Sequence, residues 1–434
     1  MLSLLKIKVL FYLVENTDQL RSFYDKGYKK AFVEVIPYND LVHPILNQVS
    51  LLYIKPITDH DEKGYMLSIN HNETLPVNIK HINQILKQFD EIYVRDKKTF
   101  LYYFQIKQAI DICLSSPPYT HPTTPVHEHF YNTYPSYLNV NCIIPITKHY
   151  ERCEHIYKQI KDYIRPYDNK HFDKLIYSLF YIEKNGIKID KDLFKQYLKP
   201  NNESFNIRDN KIYTHYNLHT TTGRPSNAFN NINFAALNKD NGCRMAFIPE
   251  NDKFVEIDIS AYHPTLAAQL VGHKFSKPIY EELAQYANID IKDAKELMFK
   301  QLYGGIYDDY KDWEFFIKIQ DYIDQTWAQF EEQGYIQVPN SSKIFYKNEL
   351  ENMNPQKLFN YILQNLETSN NSRIIWDIIK ILKDKNTKIV LYTYDALLFD
   401  FDIDEEDVLD KIKDIFKKYN LKIKESYGAN YDFA

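Results

Sequence analysis

Glycine is scarce in this sequence, with 10 residues in 434, well below the roughly 7% of an average protein. A chain this poor in glycine keeps it where the backbone needs positive φ or close approach. Each glycine is therefore a pointer. Cysteine is scarcer still. Cys113, Cys142, Cys153 and Cys243 show no metal-binding spacing and no disulfide framework, so they read as reduced thiols. No apolar run approaches the ~18 residues of a membrane span. The opening Met1-Leu-Ser-Leu-Leu-Lys-Ile-Lys8 lacks the layout of a secretory signal, and a cytoplasmic location is expected. Positive charge is not in excess: 53 Lys and Arg stand against 58 Asp and Glu, a net charge of −5. That balance weighs against a uniformly basic nucleic-acid binder, but a basic groove can coexist with acidic outer faces. There is no internal repeat and no low-complexity tract.

Hydrophobic residues make up 44% of the chain, enough for real cores. The length predicts two or three domains. Residues 1–115 alternate strand-like runs (Ala31–Ile36, Val49–Ile54, Glu91–Val94) with an amphipathic helix over Ile79–Phe89, the order of an α/β domain. A Pro/Thr-rich stretch, 115–125, reads as a loop or linker. A helix over 145–165 follows.

The chemistry concentrates further on. Asp258 ends the strand-like run Lys253-Phe-Val-Glu-Ile-Asp258-Ile-Ser260. Asp395 sits in Lys388-Ile-Val-Leu-Tyr-Thr-Tyr394-Asp395-Ala-Leu-Leu-Phe399, also read as a half-buried strand. Carboxylates on adjacent strands can hold two Mg²⁺ ions for in-line phosphoryl transfer. Between them a helical segment, Asp293–Gly305, puts Lys295, Phe299 and Tyr303 at i, i+4 and i+8, on one face. Such a face can hold a triphosphate and a base. The bland alternatives are strands that merely end in Asp and an ordinary amphipathic helix with Phe299 and Tyr303 in the core.

These segments resemble motifs A, B and C of the family A (DNA polymerase I-like) DNA polymerases, in a compact, phage-like form. Further segments match in order: Leu175–Asp190, then His219-Thr-Thr-Thr222-Gly223-Arg224-Pro-Ser226 with Asn230-Asn231-Ile-Asn233, then Gly242-Cys-Arg244-Met-Ala-Phe247. Beyond the helix come Gly334-Tyr335-Ile336, Phe359–Gln364 and the closing Ser426–Tyr431. Six of the ten glycines (Gly186, Gly223, Gly242, Gly304, Gly305, Gly334) fall in these segments.

The resemblance implies a ribonuclease H-like α/β domain over 1–115, degenerate as a 3′–5′ exonuclease. A linker and connecting helix would cover 116–170 and a polymerase domain 171–434, with an antiparallel palm (171–273 and 350–434) and helical fingers (about 274–349). It implies Asp258 and Asp395 as metal-binding catalytic residues, with the backbone carbonyl of Ile259 as a further metal ligand and Mg²⁺ as the ion, replaceable by Mn²⁺. Lys295 would meet the triphosphate, Phe299 the sugar or base, and Tyr303 the region of the templating base. Arg224, Asn230, Asn233, Gln364 and Gly304 would contact primer or template. Either Tyr262 or His263 would fill the space beside the sugar 2′ position. The expected partners are primer-template DNA, dNTPs and a processivity or replisome protein.

The departures matter as much. Ala396 follows Asp395 where the family often has Glu. Ile291 stands where a phosphate-binding Arg is usual, with Lys292 beside it. His263 replaces a Glu. Around Glu34 and Asp96, the exonuclease carboxylates are mostly missing: Phe100 takes one position, and Asp111 alone can match another. Between Asp190 and Gly223 there is no room for a full helical thumb, so weak grip on the duplex is expected. Two other readings stay open: a primer-making or RNA-synthesising polymerase of the same fold, and a non-catalytic DNA-binding scaffold.

Overall fold

The computed structural model describes residues 11–115, 141–164, 170–198, 207–227, 232–238 and 241–433. The chain divides into two compact units, Met1–Ile176 and Tyr177–Ala434.

In the first unit, six strands form one sheet: β1 (Tyr12–Val14), β2 (Lys30–Pro37), β3 (Val49–Pro56), β4 (Tyr65–Ser68), β5 (Glu91–Val94) and β6 (Ala109–Asp111). Their spatial order is β1-β4-β3-β2-β5-β6. β2, β3 and β4 pair antiparallel, while β5 runs parallel to β2 and β6 parallel to β5. β3 is buried along its whole length, as its apolar run requires of a central strand. Alternate residues face opposite ways. Val33, Leu52 and Ile54 join one core, with Leu86 and Phe100. Phe32, Leu51 and Tyr53 join another, against Tyr150, Cys153 and Ile156 of the helix Ile146–Ile160. The predicted helix over Ile79–Phe89 ends earlier, at Leu86. The four cysteines are buried free thiols.

The second unit starts with short strands. β7 (Ile187–Ile189), β8 (Ile207–Arg208), β9 (Lys211–Ile212) and β12 (Phe247–Ile248) form a small sheet, and β10 (Tyr216–Asn217) pairs with β11 (Ser226–Asn227). Among the described residues of 191–222 the one helix is Lys191–Leu198.

The central sheet is antiparallel throughout, in the order β16-β17-β13-β18, with β13 Lys253–Ile259, β16 Lys388–Tyr392, β17 Ala396–Phe401 and β18 Ile423–Gly428. A hairpin of β14 (Tyr335–Gln337) and β15 (Ile344–Tyr346) follows the helix Glu314–Gln333. The strand predicted across Lys388–Phe399 is in fact two strands joined by a tight turn. Tyr394 takes a left-handed φ of 71°, and the N–H of Thr393 meets the carbonyl of Ala396 at 3.0 Å. Asp395 is on that turn rather than within a strand. The turn carries no Gly, Pro or Asn to mark it, so its sequence reads as continuous β.

The helix Pro355–Ile381 organises this unit. Asn354 caps it, accepting from the N–H of Lys357, and Pro355 occupies the first turn. It packs against the helices Tyr262–Leu270, Ile291–Gly304, Glu314–Gln333 and Glu406–Lys418. Surrounded on several sides, it buries polar residues as well as apolar ones, among them Asn365, Glu367, Ser369 and Asn371.

Candidate active site

β13 brings Asp258 opposite Ala396, the residue that follows Asp395. The N–H of Ile259 donates to the carbonyl of Asp395 at 2.8 Å. The two carboxylates therefore sit on neighbouring strand ends. Asp258 is half-buried and Asp395 is exposed at its turn. The carboxyl of Asp395 is held above its ordinary range, first by desolvation and then by the charge of Asp258. Such mutual repulsion is relieved by a hard divalent cation, so the donor set fits the Mg²⁺ expected from sequence. Ile259, whose carbonyl was the third expected ligand, is buried in the same strand end.

Backbone strain flanks both aspartates. Tyr394 precedes Asp395 with φ 71°, and Ala261 follows the β13 end with φ 49°. Non-glycine residues seldom hold such angles without support. Asn371 supplies part of that support through its side-chain amide, which donates to the Tyr394 carbonyl at 2.6 Å and the Tyr392 hydroxyl at 2.9 Å.

The helix Ile291–Gly304 starts at Asp290, whose side chain accepts from the N–H of Asp293. Lys295 is exposed and Phe299 half-buried. Phe299 stacks on Tyr303, with ring centroids 5.7 Å apart. The end of this helix is tied to the long helix: Asn360 donates to the Tyr303 carbonyl at 3.1 Å, and Gln356 donates to the carbonyl of Leu302. These amides satisfy carbonyls that a helix end leaves without partners. Gly304 is exposed at that end. Ile291 and Lys292 are exposed at the other.

The two residues considered for the sugar position part company. Tyr262 is turned into the interior, its hydroxyl donating to Asn371 Oδ1 at 2.9 Å. His263 instead meets the Lys295 helix, with Nδ1 2.6 Å from the Tyr303 hydroxyl. Its Nε2 lies 3.3 Å from Glu367 Oε2.

Glu367 also faces Arg224, whose Nε lies 2.8 Å from the same Oε2. The Arg224 guanidinium stacks on the Tyr394 ring at 3.7 Å, beside Asp395. Gly223 makes this close approach workable. Its φ is 75°, and a Cβ there would lie 2.7 Å from Asn365 Nδ2, which donates to the Thr222 carbonyl at 2.8 Å. Gly223→Ala is therefore expected to cost about 1–3 kcal/mol, read as a lower melting temperature. Gln364 is half-buried, one turn before Glu367 on the same helix face. Asn233 is exposed at the start of the short 3₁₀ turn Phe234–Ala236, and no described hydrogen bond or ion pair ties it to this cluster. Asn230 lies outside the described residues.

No protein-family model matches the sequence, and no curated protein matches it. A solved structure does match: the POL domain of Pol1 from M. smegmatis, in complex with DNA primer-template and dNTP. The TM-score is 0.68 at 12% identity, over 97% of this chain and 99% of that one. The fold is that of a DNA polymerase domain.

Within that fold, three residues escaped the sequence reading. Glu367 and Asn371 lie in a polar run, Glu367-Thr-Ser-Asn-Asn-Ser372, in the middle of a long helix whose neighbouring turns carry Leu, Ile and Phe at buried positions. Uninterrupted polarity at buried helix positions was the signal. Tyr280, on the helix Ile279–Ala287, has its phenol pushed up to about 12 by burial and then by the charges of Asp258 and Asp395. Nothing in its local sequence marks it.

Proposed function

We propose that this chain is a template-directed DNA polymerase that adds deoxynucleotides to a primer 3′-OH and does not proofread. The observation that carries this reading is the placement of Asp258 and Asp395 on adjacent strand ends of one antiparallel sheet. Arg224 and the Tyr303 end of the Lys295 helix both converge on Glu367 beside that pair. The matching DNA polymerase domain, solved with primer-template and dNTP, supports the same choice of substrates.

In this reading Asp258 and Asp395, with the Ile259 carbonyl, would hold two Mg²⁺ ions. These ions would activate the primer hydroxyl and neutralise the triphosphate and the departing pyrophosphate. Lys295, exposed on its helix, binds the incoming phosphates as a point charge. Phe299 and Tyr303 offer a stacked aromatic surface to the nucleotide. The imidazole of His263, rather than Tyr262, lines the sugar side. Arg224, Gln364 and Gly304 face primer and template, with Asn230 and Asn233 as further contacts. The palm comprises 171–273 and 350–434, and the fingers 274–349. The short segment 191–222 takes the place of a thumb, so a partner protein would supply grip for long synthesis.

The first unit is read as an inactive exonuclease fold. Its strand order, with three antiparallel strands continued by two parallel ones, supports a ribonuclease H-like fold. Glu34 is 5% exposed and is held by Arg95, whose Nε is 2.9 Å away, and by Arg152 at 3.6 Å. Guanidinium groups stand here where an exonuclease would need metal ions. Asp111, also buried, accepts the N–H groups of Lys97 and Leu114 at 2.8 and 3.0 Å. Burial, and then Asp96, push it up to about 8.

Lys295→Ala is expected to lower kcat/KM for dNTP about 10- to 100-fold, by removing a charge-assisted phosphate contact of roughly 1.5–3 kcal/mol. Single-nucleotide incorporation measured against dNTP concentration reads this directly. An unchanged kcat/KM removes Lys295 from the site.

A further inference from the structure

Glu367 is 1% exposed, on a helix whose other charged residues are outside the core. A buried carboxylate is costly unless it is paired. Two groups pair with it from different parts of the chain. Arg224 arrives from the Gly223 turn, with Nε 2.8 Å from Oε2 and Nη2 3.3 Å from Oε1. His263 arrives from the helix after β13, with Nε2 3.3 Å from Oε2. Each partner carries a second contact onward. Arg224 lies over Tyr394 at 3.7 Å. His263 reaches the Tyr303 hydroxyl at 2.6 Å. The imidazole is hydrogen-bonded at Nδ1 by Tyr303, while its buried Nε2 makes no hydrogen bond and faces Glu367 Oε2 at ion-pair distance. One carboxylate oxygen stands between the Tyr303 end of the nucleotide-facing helix and the Arg224 turn on the primer side.

We propose that Glu367 is a positioning residue that couples these two sides, setting Arg224 and the His263–Tyr303 pair together. The proposal rests on the polymerase reading above. Glu367 touches neither substrate. It acts by fixing the two groups that do, so binding of primer end and nucleotide become linked through a single buried charge. Losing the charge releases Arg224 from its stack on Tyr394 and lets the His263 ring turn away from Tyr303. Contacts to both substrates weaken together, while the carboxylates of Asp258 and Asp395 stay in place.

The test uses Glu367→Gln, which keeps the shape and removes the charge. The primer-template Kd and the nucleotide KM are both expected to rise about tenfold, with kcat at saturation changed less than about threefold. A structural lesion would instead lower active protein without splitting KM from kcat. Arg224→Ala and Tyr303→Phe should be non-additive on nucleotide KM by about threefold or more in the native background, and additive in Glu367→Gln. Additivity in the native background overturns the coupling. A readout independent of activity is the ¹⁵N spectrum of the His263 imidazole, assigned by its loss in His263→Gln. It should show one fixed tautomeric state in the native protein and a changed one in Glu367→Gln. An unmoved His263 signal refutes the positioning role even if the protein extends no primer. Absent extension with a shifted signal refutes only the polymerase reading. Should Glu367→Gln fail to fold, Glu367→Asp keeps the charge but draws it back by a methylene, and the same measurements apply.

Discussion

Asp258→Ala and Asp395→Ala are each expected to reduce primer extension by at least ~10³-fold, because two-metal transfer would fail when either metal-holding carboxylate is lost. The fold should survive both changes. Asp395 is exposed on its turn and Asp258 half-buried at a strand end, so neither substitution opens a core cavity. Desolvation, and then the charge of Asp258, raise the carboxyl of Asp395, so the two like charges oppose each other in the absence of metal. The melting temperature of either variant, measured without divalent ions, should therefore equal or exceed that of the native protein. Lost function with unchanged or higher stability is the signature of a functional site kept at a cost in stability. Near-native extension by either variant would remove that residue from the chemistry.

Glu34→Ala should act in the opposite way, on stability. Glu34 is the counter-charge to two guanidinium groups, the buried Arg152 and the largely buried Arg95. Taking away one member of a buried ion cluster leaves the rest unpaired in a poorly solvating interior, at a cost of about 3–5 kcal/mol. Chemical denaturation followed by a probe in the first unit should show that loss. Degradation of single-stranded DNA should be absent from the native protein and from this variant alike. Metal-dependent 3′–5′ degradation that persisted in Asp258→Ala and vanished in Glu34→Ala would mean that Glu34 is catalytic.

How legible was all this in the sequence? The run Lys253–Ser260 and the strand Glu91–Val94 could be read because β-branched and aromatic residues crowd them; the structure keeps the bounds of the second and ends the first at Ile259. The Lys295 helix could be read from its period, although its start shifts to Ile291 with Asp290 as the cap. Asp395 was singled out correctly as a neighbour of Asp258, but its setting was not. The Tyr394 turn is held by Asn371 from a distant helix, and a local reading has no access to support of that kind. Glu367 was missed for a related reason. Its partners, Arg224 and His263, are remote in sequence, and only the packing of the long helix brings them to it. Short strands such as β1 and β6 were also missed, since three residues carry too little periodicity to register.

The most direct measurement is extension of a labelled primer on a DNA template by the native protein. Mg²⁺ or Mn²⁺ would be supplied with dNTPs and NTPs in separate reactions, and Asp258→Ala would run alongside. Template-directed products with dNTPs, few with NTPs, and none from Asp258→Ala are the expected result. Products with NTPs alone would make the protein an RNA- or primer-synthesising polymerase. No product with either metal and either nucleotide set, or equal product from Asp258→Ala, would contradict the assignment of this site.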